Sequence, residues 1–95
     1  MTWDIGHSKA IREADVPFIL AHRERLTHFH IHDGTETPPR NHLALGDGEI
    51  HLAERLKLAE ERNARCVLET KTIAALKESV RWLWENWEVE RHVDM

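Results

Sequence analysis

The sequence predicts one α/β domain with a parallel sheet, because three strand-like stretches are each followed by a segment of helix length. The strand candidates are residues 2–5 (TWDI), 27–33 (THFHIHD) and 64–70 (ARCVLET). Residues 1–95 are too few for a second domain, and 41% apolar with 32% charged residues is typical of a soluble globular chain. The expected order is βαβαβα, with parallel strands that neighbour one another in chain order.

Two helices are predicted between the strands. Asp15 is expected to cap a helix over residues 16–26 (VPFILAHRERL), where Pro17 is tolerated in the first turn. A second helix is expected over residues 50–63, since three apolar residues share one of its faces: Leu52, Leu56 and Ala59.

A third helix is expected to begin near Thr72. Trp82 falls on the face opposite its apolar side and is expected to be exposed. The apolar residues repeat at helical spacing and form a single stripe: Ile73, Leu76, Val80, Leu83, Trp84 and Trp87.

Residues 34–49 (GTETPPRNHLALGDGE) separate the second strand from its helix. Their prolines and glycines argue against regular structure. Long irregular loops in compact domains are usually functional or disordered, so a functional loop is expected.

Charge and cysteine content restrict the class of protein. The net charge is −4, which disfavours nucleic acid as a partner. No apolar run reaches the roughly 18 residues of a membrane helix, so no membrane contact is expected. Cys66 is the single cysteine, which fits a reducing compartment and predicts a cytoplasmic protein.

Three histidines alternate with apolar residues in the second strand. Side chains at i, i+2 and i+4 of a strand share a face, so His28, His30 and His32 are expected on one side. Phe29 and Ile31 then point toward the helices that cover the other side. A histidine face indicates a polar lumen or a metal site.

Acids and an imidazole lie at the ends of all three strands. Ligand sites in parallel α/β sheets form at the carboxyl ends of strands, where Asp4, His30 and Glu69 are expected to meet. Alone, a strand-end acid more often caps a helix, and a strand histidine is more often a hydrogen-bonded core residue. Two carboxylates and one imidazole at equivalent ends favour a divalent cation such as zinc or manganese.

Four motifs in order, DIGH, HFHIHDG, HLALGDGEI and VLET, resemble the C-terminal part of sugar phosphate isomerases and epimerases. These are xylose isomerase-like TIM barrels, in a superfamily that also contains endonuclease IV. The resemblance spans residues 2 to about 87 and implies a partial TIM barrel of about three βα units, matching strands six to eight. It implies a divalent metal (Mn, Zn, Mg or Co) and a small sugar or sugar phosphate substrate.

The resemblance also implies roles for individual residues. Asp4, His30 and Glu69 match metal ligands, and Glu69 matches a catalytic acid/base as well. His7 matches a catalytic histidine that contacts the substrate. His42 matches a loop histidine, and with Arg40 it is expected to bind a hydroxyl or phosphate of the substrate. The implied reaction removes a proton next to a carbonyl.

A complete (β/α)₈ barrel takes about 250 residues, so the chain is expected to lack five strands and a glutamate ligand on the fifth. It is then a fragment or separately encoded part of an isomerase or epimerase, and a homo-oligomer or a partner chain is expected to cover its open sheet edges. Alternatives are a non-catalytic metal-binding module, an inactive truncated product, and an endonuclease IV-like repair enzyme. Arg40 stands where the endonuclease branch carries an aspartate, which disfavours the last of these.

Overall fold

The computed structural model, which describes residues 1–86, is a mixed α/β fold that agrees with the predicted βαβαβα order. Three parallel strands form the main sheet in the order β1-β2-β5, and β3 and β4 form a separate antiparallel pair. The elements along the chain are β1 (Thr2–Asp4), α1 (Ile5–Ala10), α2 (Val16–Ala21), a 3₁₀ helix (Arg23–Arg25), β2 (His28–Ile31), β3 (Asp33–Glu36), β4 (Pro39–Leu43), α3 (Leu52–Glu61), β5 (Arg65–Leu68) and α4 (Ile73–Asn86).

The register of the parallel sheet aligns the ends of its strands. Asp4 lies beside His30 in the neighbouring strand, and His30 lies beside Val67 on its other side. The main-chain amide of Glu69 donates a hydrogen bond of 2.9 Å to the carbonyl of Ile31, which continues the pairing one residue past β5. The carboxyl ends of β1, β2 and β5 therefore lie next to one another, as predicted.

One face of the sheet is apolar and covered by helices. Trp3, Phe29 and Ile31 are at most 1% exposed and belong to one core cluster with side chains from α2 and α3. The opposite face presents Asp4 and His30, both partly exposed, as the alternation of the strand predicts. Burial of the apolar face stabilises the fold at roughly 25 cal/mol per Å² of apolar surface.

Part of the predicted irregular loop is in fact a β-hairpin, which contradicts the prediction for residues 34–49. Strands β3 and β4 pair antiparallel across a turn that contains a cis peptide bond between Thr37 and Pro38. The prolines lie at the turn and at the first position of β4, where a missing N–H is tolerated. Residues 44–51 that follow remain irregular.

The connection between β1 and β2 also differs from the prediction. It contains the additional helix α1, which packs against the β3–β4 hairpin. Asp15 occupies the N-cap position of α2, as expected, but its side chain makes no capping hydrogen bond; its Oδ2 instead accepts a hydrogen bond of 2.9 Å from the Ser8 hydroxyl. Asp4, at the N-cap of α1, does cap its helix through the side chain, because its Oδ1 accepts a hydrogen bond from the amide of His7.

Helix α4 packs through a different face from the one predicted, so Trp82 is partly buried and Trp84 is exposed. Ser79 is fully buried, and its hydroxyl accepts a hydrogen bond of 3.0 Å from the amide of Leu45. Trp82 is partly buried against Gly46, where a Cβ atom would lie 2.8 Å from the indole. Trp84 is 57% exposed instead, together with three other residues of the apolar stripe: Ile73, Leu76 and Val80. Trp87, the last residue of the predicted stripe, lies outside the described residues.

None of the helices within residues 1–86 has the length and apolar character needed to cross a membrane.

Candidate metal site

Asp4, His30 and Glu69 form a cluster at the carboxyl edge of the sheet. Each offers a ligand atom that lies within 4.8 Å of the ligand atoms of the other two. Ligands on one tetrahedral ion at about 2.1 Å lie about 3.4 Å apart, so small side-chain rotations bring these atoms to binding distance. Two carboxylate oxygens and one imidazole nitrogen suit zinc or manganese. The residues present therefore fit a divalent metal.

His30 and Glu69 already contact each other directly. The His30 Nδ1 atom lies 3.1 Å from Glu69 Oε1. Both side chains are about one-third exposed, so the pair faces solvent at the edge of the sheet. An ion bound there is accessible to a ligand from solution, because three protein ligands leave a tetrahedral position open.

Asp4 is the most constrained of the three. Its Oδ1 accepts hydrogen bonds from the amide of His7 at 2.9 Å and from Nε2 of His32 at 2.5 Å. Its Oδ2 accepts no hydrogen bond within the described residues. The side chain is therefore held through one oxygen, while the other is free to bind a cation.

His32 lies one residue past β2 and is fully buried, although strand alternation groups it with His28 and His30. Its ring rests on the backbone of Gly6, where a Cβ atom would lie 2.0 Å from Nδ1. Nδ1 accepts a hydrogen bond of 2.6 Å from the amide of His42, so the proton of the neutral ring is on Nε2 and points to Asp4. Burial lowers the pKa of His32, despite the opposing effect of the Asp4 carboxylate.

His42 lies at the other side of the same cluster, on β4. Its ring stacks on that of His32, with centroids 4.3 Å apart and planes 7° from parallel. The Nδ1–H group donates a hydrogen bond of 2.8 Å to the main-chain carbonyl of Glu69, which leaves Nε2 with a free lone pair. The backbone of His42 has a positive φ of 58°, an uncommon conformation for a residue with a side chain.

His32, His42 and Glu69 are a second group whose ligand atoms lie within 4.8 Å of one another. Stacked rings, however, hold their nitrogen lone pairs in parallel planes, so the two imidazoles cannot aim at one ion. Both nitrogens of His32 are also engaged in hydrogen bonds. The cluster of Asp4, His30 and Glu69 is therefore the better candidate for a metal site.

The two remaining predicted site residues lie outside both groups. His7 is exposed on α1, and only its main-chain amide contacts Asp4. Arg40 is exposed on β4, and within residues 1–86 its guanidinium makes no hydrogen bond or ion pair. Both side chains are therefore free to contact a ligand in solution.

Asp33 was not among the predicted site residues, yet it organises the loop beside them. Its carboxylate is 1% exposed and accepts hydrogen bonds of 2.9–3.1 Å from four main-chain amides: Gly34, Gly46, Gly48 and Ile50. Gly48 must lack a side chain, because a Cβ atom there would lie 2.4 Å from Asp33 Oδ1. The signal in the sequence was the acid of HFHIHDG paired with the glycines of LGDG.

Comparison of the chain with protein-family models, with curated proteins and with solved structures gives no match.

Proposed function

We propose that the chain binds a divalent metal ion through Asp4, His30 and Glu69 and contributes this site to a sugar or sugar phosphate isomerase or epimerase. The observation that supports the proposal is the meeting of these three side chains at adjacent strand ends of a parallel sheet. Ligand sites in such sheets occur at this edge. The resemblance of the four motifs supports the reaction class.

The chemistry of the cluster suits proton transfer next to a carbonyl. A bound divalent ion supplies a Lewis acid that polarises a carbonyl oxygen. Glu69 is partly exposed at the same edge, so its carboxylate can accept a proton from a substrate carbon. His7 and Arg40 are exposed, and with His42 they are the side chains proposed to bind hydroxyl or phosphate groups.

We include a partner in the proposal, either a second copy of this chain or a chain that supplies further βα units. Parallel sheets are normally covered on both faces, whereas here the described helices that join the core cover the face of Trp3 and Phe29. β5 is an edge strand, and Val67 within it is 43% exposed. Unpaired edges favour association with another strand.

Isothermal titration calorimetry with Mn²⁺ and Zn²⁺ tests the metal site. The unmodified chain is expected to bind one ion, and Asp4→Ala or Glu69→Gln is expected to weaken binding strongly. His28→Ala is the matched control, since His28 lies on the same strand and face but belongs to neither group of ligand atoms. Equal affinity in Asp4→Ala and in the control would contradict the proposed site.

Deuterium exchange tests the reaction class separately. Ketose phosphates incubated with metal-loaded protein in D₂O, together with any co-purified partner, are expected to gain deuterium next to the carbonyl, as seen by mass spectrometry. Glu69→Gln should abolish the exchange even at saturating metal. Metal binding without exchange would indicate a non-catalytic metal-binding module.

A further inference from the structure

His32 makes two directed hydrogen bonds from a fully buried ring. Its Nδ1 accepts from the amide of His42, and its Nε2–H donates to Oδ1 of Asp4. The ring cannot shift toward α1, because it already contacts the backbone of Gly6. Its position and its tautomer are therefore fixed by the fold.

The Nε2–H group of His32 gives Oδ1 of Asp4 a second hydrogen-bond donor, in addition to the amide of His7. A carboxylate that accepts from the amide of His7 alone could still swing about that contact. The second donor fixes Oδ1 and leaves Oδ2 as the oxygen available to an ion. Hydrogen-bond partners of metal ligands commonly act in this way and set ligand orientation.

The same ring connects three elements that meet at the site. It bonds to Asp4 at the end of β1 and to His42 on β4, while His42 bonds in turn to the carbonyl of Glu69 after β5. Displacement of the ring would therefore disturb two of the proposed ligands, Asp4 directly and Glu69 through His42.

From these contacts we infer that His32 is a positioning residue for the metal site, which it orients through its bond to Asp4 without binding the ion. The inference rests on the proposed function, because it assigns His32 to the same cluster. It distinguishes His32 from His28 and His30, with which strand alternation grouped it.

Two substitutions separate the bonds that His32 makes. Asparagine at position 32 places an acceptor near the former Nδ1, so His32→Asn keeps the bond from His42 but loses the donor to Asp4. Glutamine reaches the former Nε2 position, so His32→Gln keeps a donor to Asp4 but loses the acceptor for His42. Both remove a buried ring, so both lower the thermal stability, and only metal affinity distinguishes them.

Titration with Mn²⁺ is expected to show about 10–100-fold weaker binding for His32→Asn, the range typical of lost hydrogen-bond partners of ligands, and a smaller loss for His32→Gln. In an Asp4→Ala background, His32→Asn is expected to cause no further loss. Unchanged affinity in His32→Asn, or equal losses in the two variants, would overturn the role of His32 while leaving the metal site intact. An unmodified chain that binds no ion would instead overturn the proposed function, and the role of His32 with it.

Discussion

Replacement of Gly6 by alanine tests how closely the His32 ring is packed against α1. Gly6 lies in the helix Ile5–Ala10, so alanine would ordinarily stabilise the helix by up to about 1 kcal/mol. Here the added Cβ would lie 2.0 Å from Nδ1, 2.1 Å from Cε1 and 2.8 Å from Cγ of His32. Normal contacts exceed about 3.4 Å, so the ring must move by more than an ångström and lose its place beside Asp4.

The free energy of unfolding is therefore expected to fall. Forcing extra atoms into a packed region costs about 1–3 kcal/mol. Loss of the hydrogen bond to the Asp4 carboxylate adds about 1.5–3 kcal/mol, because bonds to charged groups are the stronger ones. After subtraction of about 1 kcal/mol for helix propensity, the net destabilisation is about 1.5–5 kcal/mol.

Urea denaturation followed by tryptophan fluorescence measures this change, and a double-mutant cycle isolates its cause. His32→Ala removes the clashing atoms, so Gly6→Ala in that background should be neutral or stabilising. A Gly6→Ala chain as stable as the unmodified one would refute the packing argument. An equal penalty in the His32→Ala background would place the strain in the helix backbone and not at the ring.

Three further predictions address the surroundings of the site. Because burial lowers the pKa of His32, the unfolded state binds a proton there that the folded state does not, so the free energy of unfolding should fall as the pH drops below about 6.5. His32→Asn should flatten that decline in urea titrations at several pH values; an identical slope would contradict it. Asp33→Asn replaces one carboxylate oxygen, which accepts hydrogen bonds from main-chain amides, with an NH₂ group that can only donate. The free energy of unfolding is expected to fall by about 2–6 kcal/mol, and the amides of Gly46 and Gly48 should exchange faster with solvent. Trp84 is exposed, so Trp84→Glu should reduce self-association measured by light scattering at micromolar concentration. Trp82 packs against Gly46, so Trp82→Glu should mainly lower the free energy of unfolding. An unchanged oligomer in Trp84→Glu would exclude the exposed face of α4 from the interface.

Local patterns in the sequence were sufficient to predict the main parallel sheet and the proximity of the three candidate ligands at its edge. The alternation of His30 with Phe29 and Ile31 predicted which side of β2 is buried, since a strand with one covered face must place apolar residues on it. The strand–helix order predicted a parallel sheet, and parallel strands bring their carboxyl ends together. The meeting of Asp4, His30 and Glu69 follows from those two facts.

Only the tertiary structure decided the features that depend on contacts between distant segments. Helical periodicity placed Trp82 and Trp84 on different faces of α4, but it could not show which face packs against the rest of the fold. The structure shows that the face of Ser79 and Trp82 packs there, because the Ser79 hydroxyl bonds to the Leu45 amide and Trp82 lies against Gly46. Likewise, alternation stops where β2 ends, so it could not show that His32 turns inward against Gly6 and bonds to Asp4, 28 residues earlier in the chain. Short-range periodicity specifies the faces of one element, whereas the partners of each face are fixed when elements far apart in the chain pack together.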